Sequence, residues 1–153
     1  MATPCPQPRS SPPARRPLLA WLRLFLYLWA FFPGTFLGLC WLPLALIAGG
    51  RCQFVRGCLE IHGGPVTWFL RHGCPWSYGI SAMTLGHVVI GQDENCLDYS
   101  RDHEHVHVRQ YERWGPLFLP AYALASAWAW YRGDDPYRGN RFEREAYGDH
   151  PAG

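Results

Sequence analysis

Three of the chain's seven histidines lie in one five-residue stretch, HEHVH, at residues 103–107. The stretch fits the pattern H-E-x-x-H, in which two imidazoles four residues apart on a helix can bind one zinc ion. The pattern requires a helix, because only there do residues i and i+4 lie one above the other. His103 and His107 are therefore the candidate metal ligands, and His105 is expected to point away from them.

The glutamate inside this pattern, Glu104, suggests hydrolytic chemistry. A zinc ion with three protein ligands keeps its fourth position for a water molecule and lowers the pKa of that water to about 7. A carboxylate next to the water can act as general base. The pattern thus predicts zinc as the cofactor and Glu104 as the catalytic residue.

Local signals predict the helix that must carry these residues. Ser100 is a suitable N-cap, and residues 101–114 contain neither glycine nor proline. Gly115, followed by a proline, is a stop signal. Residues 92–99 contain turn-forming residues and are predicted to be a loop.

Apolar periodicity predicts the other elements of the fold. Short alternating runs bounded by turn residues indicate two or three strands within residues 52–91. The apolar residues 117–131 are too few for a comfortable membrane span and predict a core helix, or one at a membrane interface. A short helix over residues 141–147 follows, with Asn140 as its N-cap. The fold class is therefore predicted to be α+β.

The third metal ligand is expected among the acidic residues near the C-terminus. Glu143 is the preferred candidate and Glu145 the alternative, whereas Asp134 and Asp135 are weaker ones. A competing role exists for Glu143, because Asn140 and Glu143 have the spacing of a capping box. In that arrangement the glutamate bonds to the start of its own helix and does not reach a metal.

These motifs resemble the gluzincin branch of the zincin metallopeptidases, in which H-E-x-x-H is followed by a later helix of the form E-x-x-A-D. The resemblance implies His103 and His107 as zinc ligands and Glu104 as general base. It also implies Glu143 as third ligand, since Ala146 follows it at the matching spacing. The expected activity is that of a metallopeptidase.

This chain departs from the gluzincin pattern at Tyr147, where the family often has an aspartate that orients a ligand histidine. The wider run HEHVHVRQYERWGPLFLPAY is also similar to small bacterial proteins with a hydrophobic N-terminus. Strands before the motif helix agree with zincin architecture, in which an edge strand pairs with an extended substrate. The resemblance thus implies a minimal zincin-like domain over residues 51–150 and a peptide or protein substrate.

A long apolar segment precedes this domain. Residues 24–48 form an uncharged run of 25 residues, which as a helix would be about 37 Å long, whereas the hydrocarbon core of a bilayer is about 30 Å thick. A signal peptide has a shorter apolar region, and a hairpin broken at residues 33–34 would leave arms too short to span. We therefore expect an anchor at residues 18–50, a single membrane-spanning helix in contact with lipid.

The distribution of charge predicts a topology and excludes one class of partner. More arginines precede the apolar run than follow it closely, so the positive-inside rule predicts a domain outside the cytoplasm, attached to a bacterial inner membrane. The Pro-rich residues 1–17 are predicted to be a disordered tail. The net charge is +2 and the basic residues form no patch, so nucleic-acid binding is not indicated.

Two function classes other than a peptidase fit the same residues. One is a non-catalytic membrane protein in which the zinc ion is structural. The other is an integral membrane protein without a metal, in which the histidines form a solvated helix face. Zinc content separates the metal-free protein from the two zinc proteins. Replacement of Glu104 separates the peptidase from the protein with a structural zinc, because a general base is dispensable for structure.

Overall fold

The computed structural model describes residues 33–73 and 80–148, together with Trp21. The chain is α+β, with a mixed four-stranded sheet in the order β1-β2-β4-β3. The strands are β1 (Arg51–Val55), β2 (Cys58–His62), β3 (Ala82–Leu85) and β4 (Val88–Gly91). The helices are α1 (Gly34–Leu39), α2 (Trp41–Ile47), α3 (Pro65–His72), α4 (Glu94–Trp114), α5 (Phe118–Tyr131) and α6 (Arg141–Ala146), with a 3-10 turn at Gly115–Leu117.

Two tight hairpins build the sheet. The β1–β2 turn consists of Arg56 and Gly57, which both have positive φ angles, 49° and 88°, as a type I′ turn requires. The β3–β4 turn contains Gly86, with a φ of 65°. The sequence predicts two or three strands in this region. There are four, because each apolar stretch folds back on itself at its internal glycine.

Alternation along the strands gives the sheet two buried faces. One face packs against α1, α2 and α3 around a core that includes Ile61, Val88 and Ile90. The opposite face packs against α4, where Val89 meets Leu97. The far end of α4 contacts α5 and α6 through a third cluster, formed by Tyr111, Phe118 and Phe142.

The predicted membrane-spanning helix is wrong. In the described chain, residues 33–73, 80–148 and Trp21, no helix is both long enough and apolar enough to cross a bilayer. The described part of the apolar run forms α1 and α2, which are interrupted at Cys40. Pro43 explains the interruption, because it has no N–H for the Leu39 carbonyl and its ring crowds that carbonyl.

The described part of the apolar run instead covers one face of the sheet. A side chain at Gly38 of α1 would place its Cβ 2.5 Å from the Cβ of Val88, so the helix lies directly on β4. Residues 18–20 and 22–32 of the predicted anchor and the predicted tail at residues 1–17 lie outside the described residues. The predictions of a membrane location and of a domain outside the cytoplasm were both inferred from this membrane-spanning helix.

The helix that carries the motif begins earlier than predicted. Its N-cap is Asp93, whose carboxylate accepts a hydrogen bond from the Cys96 N–H at 2.8 Å. Ser100, the predicted N-cap, lies inside the helix and donates its hydroxyl to the Cys96 carbonyl. The segment predicted to be a loop therefore forms the first turns of α4, because Asp93 satisfies an N–H group at its start.

The apolar helix α5 is only partly a core helix. It packs on α4 and α6 through the side that carries Phe118 and Tyr122. Leu124, Trp128 and Trp130 on its other side are exposed. Phe118, its first residue, lies beside Tyr111 and His107 of the motif helix.

A buried ion pair anchors α4 to the sheet beside the motif. Glu60 of β2 is 1% exposed and accepts hydrogen bonds from Arg101 at 2.8 and 2.9 Å and from Gln53 at 2.7 Å. Burial raises the pKa of a carboxyl group, but these donors outweigh that effect and hold the pKa of Glu60 below its ordinary value. Arg101 stands two residues before His103, so this pair positions the motif relative to the sheet.

We expect Glu60→Gln to lower the free energy of unfolding at pH 7 by about 2 kcal/mol, because Arg101 loses the buried carboxylate that fixes it to the sheet and keeps only its pair with the exposed Asp98. The folded-state pKa of Glu60 is depressed. Its contribution is therefore present above about pH 4.3 and is lost as the pH falls through the folded-state pKa. Denaturant titrations of both proteins should show their difference shrinking between pH 7 and pH 3.

The control for this prediction is Asp102→Asn, which breaks an exposed pair with Arg56. Exposed pairs contribute little, so this variant should unfold like the wild type. Equal losses of stability in the two variants, or a difference independent of pH, would contradict the anchoring role.

Candidate metal centre

Helices α4 and α6 bring three metal-binding side chains together. His103 and His107 lie one turn apart on α4, and their Nε2 atoms are 3.1 Å from each other. Glu143 of α6 places one carboxylate oxygen 3.2 Å from the Nε2 of His103 and the other 3.3 Å from the Nε2 of His107. Each residue offers one ligand atom within 4.8 Å of the others, so the group could hold a metal ion.

The separations between these atoms fit one tetrahedral zinc ion. Zinc lies about 2.0–2.1 Å from imidazole nitrogen and carboxylate oxygen, which puts two tetrahedral ligand atoms about 3.4 Å apart. The observed separations of 3.1, 3.2 and 3.3 Å are close to that ligand–ligand distance. In addition, the Oε2 atom of Glu143 is buried and has no hydrogen bond of good geometry within the described residues. The donor set therefore fits zinc.

Gln110 determines which nitrogen of His107 is free. The side-chain N–H group of Gln110 donates to the Phe142 carbonyl and to Glu145, both at 3.0 Å. Because both partners only accept, the amide oxygen of Gln110 must face His107, whose Nδ1 lies 2.8 Å away. Nδ1 therefore carries the proton, and in the neutral ring the Nε2 lone pair points towards His103 and Glu143.

Tyr122 of α5 orients the carboxylate of Glu143. Its hydroxyl donates to the Oε1 atom at 2.6 Å. Burial raises the pKa of Glu143, but its contacts with His103 and His107, the charge that His107 carries when protonated and the Tyr122 hydrogen bond more than compensate, and together they lower it to about 2. The carboxylate is therefore charged at neutral pH, as a metal ligand must be.

The predicted capping box is not formed. The side chain of Asn140 caps α6 alone, by accepting from the Phe142 N–H at 2.9 Å, and the carboxylate of Glu143 faces the histidines. The other acidic candidates have different partners. Glu145 contacts Gln110 and Arg113, Asp134 pairs with Arg132, and Asp135 accepts from the backbone of its own loop.

Glu104 lines the same cavity as the His103–His107–Glu143 group. Thr84 of the edge strand β3 donates its hydroxyl to the Oε2 atom of Glu104 at 2.7 Å. Burial raises the pKa of Glu104, which makes the carboxylate a better proton acceptor than an exposed one. His105 lies outside the group, and burial together with the charge of Arg56 lowers its pKa.

The sequence interpretation missed Gln110, Tyr122 and Thr84. Gln110 has a signal in the sequence, because it stands three residues after His107 and therefore on the same helix face. The contacts of Tyr122 and Thr84 cross between elements and have no such signal. Tyr147, at the position of the family's aspartate, packs its ring against His103 with centroids 4.5 Å apart, and it is Gln110 that orients a histidine.

Comparison with known proteins gives no relative for this chain: no protein-family model, no curated protein and no solved structure matches it. The gluzincin resemblance therefore stays an expectation that rests on two short motifs.

The role of Tyr122 can be tested on metal-free protein. We expect Tyr122→Phe to lower the free energy of unfolding by about 2 kcal/mol, because a buried charged acceptor loses its donor. Denaturant titration in the presence of a chelator measures this. Tyr111→Phe is the matched control, since the buried Tyr111 hydroxyl has no hydrogen-bond partner among the described residues. That variant should be as stable as the wild type, and an equal loss in both would contradict the assignment.

Proposed function

We propose that the chain is a zinc-dependent peptidase in which His103, His107 and Glu143 bind the metal and Glu104 is the general base. The convergence of two Nε2 atoms and one carboxylate at tetrahedral separations carries this proposal. The tautomer that Gln110 imposes on His107 supports it, because it leaves the converging nitrogen free to bind a cation.

The number of ligands favours catalysis over a structural role for zinc. Structural zinc sites are closed by four protein ligands, whereas catalytic sites have three and keep one position open. Within the described residues the group consists of three side chains, and a cavity adjoins it. An open position beside a cavity is what a hydrolytic water and a substrate require.

Each residue of the site has a part in hydrolysis. A bound zinc ion would supply a water that ionises near neutral pH and would polarise the substrate carbonyl. Glu104 accepts the proton of the water and returns it to the leaving amine, while Thr84 holds the carboxylate from β3. Gln110 keeps His107 aligned and Tyr122 keeps Glu143 aligned, as hydrogen-bond partners of metal ligands commonly do.

An extended peptide suits the edge of the sheet. Among residues 33–73 and 80–148, β3 is the last strand in the order and pairs on one side only, with β4. Residues of this strand line the cavity next to the His103–His107–Glu143 group. A peptide that pairs with the free side of β3 would lie beside Glu104, which makes a peptide bond the substrate that the site fits best.

A zinc-content experiment tests the ligand set. The purified protein should carry about one zinc per chain, and His107→Ala should lose it, whereas His105→Ala should keep it. Glu143→Gln should lower zinc affinity, because the amide lacks the charge of the carboxylate, while Glu145→Gln should leave it nearly unchanged. Metal analysis after dialysis against a weak chelator measures all four variants. Zinc retained in full by His107→Ala would contradict the site.

A second experiment separates the peptidase from the structural alternative. Glu104→Gln should retain zinc and lose peptide hydrolysis by at least about 100-fold, which is the lower range of general acid–base contributions. Hydrolysis of a mixed peptide pool, followed by mass spectrometry, measures the activity. A zinc-loaded wild-type protein that cleaves no peptide would favour a structural zinc, and a protein that binds no zinc would favour the metal-free alternative.

A further inference from the structure

The cleft next to the His103–His107–Glu143 group has two chemically different halves. Both halves share Ile80, Ala82, His103, Glu104 and Tyr137, whereas His107 and Glu143 line the first half alone. The group therefore lies in the first half and borders the second through His103, beside Glu104. The first half is mostly apolar and is completed by side chains such as Met83, Leu85, Phe118 and Leu119. The second half is the more polar of the two and is completed by Ser81, Tyr99, Ser100, Arg138 and Tyr147.

Arg138 is the cation of the polar half. It is exposed, and its guanidinium makes no ion pair with any residue in the described ranges. The nearby carboxylate of Asp135 accepts the backbone N–H groups of Tyr137 and Arg138 at 2.8 and 2.7 Å, and it interacts with the Arg138 charge without an ion-pair contact. These two hydrogen bonds hold the backbone of the loop that carries Arg138 at the cleft.

We propose that Arg138 binds a carboxylate of the substrate. The inference rests on the proposed peptidase function and states its substrate class. Preferred peptides have an apolar side chain on one side of the cleaved bond and a carboxylate on the other. An arginine suits this task, because its planar guanidinium can donate two parallel hydrogen bonds to one carboxylate.

The carboxylate can belong to an acidic side chain or to the C-terminus of the peptide. Both present the same chemistry to Arg138, but they imply different products. A C-terminal carboxylate would make the protein remove short C-terminal fragments, whereas an acidic side chain would direct cleavage within a chain. Peptides that differ only in the source of the charge distinguish the two.

The test measures binding, so that it does not depend on turnover. The zinc-loaded Glu104→Gln protein is titrated calorimetrically with acetylated pentapeptides of alanine that have a central leucine. One peptide has a free C-terminus and one is amidated. Two further amidated peptides carry a single glutamate, either before or after the leucine. We expect at least one of the charged peptides to bind about 10-fold more tightly than the neutral amide.

The contribution of Arg138 is tested by adding Arg138→Gln to this protein, which should bring the ratio of affinities between charged and neutral peptides close to one. The matched control is Arg132→Gln. It removes the same charge six residues away, from a side chain that faces Asp134, and should preserve the ratio. Equal binding of all the peptides, binding of none of them, or a ratio unaffected by Arg138→Gln would each overturn the inference.

Failure of the proposed function has a different signature. If the zinc-loaded wild type cleaves no peptide although charged peptides bind through Arg138, the peptidase proposal fails and the carboxylate site stands. If peptides are cleaved with no preference for a carboxylate, the carboxylate site fails and the peptidase stands.

Discussion

The buried carboxylate of Glu143 is the constraint on which the C-terminal half of the fold depends. A carboxylate removed from water is unfavourable unless hydrogen bonds or a positive charge compensate it. Tyr122 supplies one hydrogen bond at 2.6 Å, and the two histidines stand 3.2 and 3.3 Å away. Because these partners come from α4 and α5 and the carboxylate from α6, the three helices must meet at this point.

The motif helix is held on both of its sides. Towards the sheet, the pair of Glu60 and Arg101 anchors the residues just before the motif. Towards α6, Gln110 connects His107 to the backbone of Phe142. Through these contacts the chain itself orients the side chains that could hold a metal ion.

Local sequence signals correctly predicted those features of the fold that depend on the residues of a single segment. The stop of α4 at Gly115 and the cap of α6 at Asn140 follow from residues at the ends of the helices themselves. Predictions that depended on the surroundings of a segment were less successful. The apolar residues 24–48 have the composition of a membrane span, and the described part of them forms two short helices on the sheet. Hydrophobicity alone does not distinguish lipid from a sheet face as the partner that covers it.

The sequence by itself determined that His103 and His107 face the same way, since the geometry of one helix fixes residues four apart. It also offered Glu143 without deciding between a ligand and a helix cap. Only the tertiary structure places α6 so that the carboxylate of Glu143 meets the histidines while Asn140 caps the helix alone. The physical reason is range: helix periodicity and caps act within a few residues, whereas the meeting of Glu143, Tyr122 and the motif depends on how three helices pack.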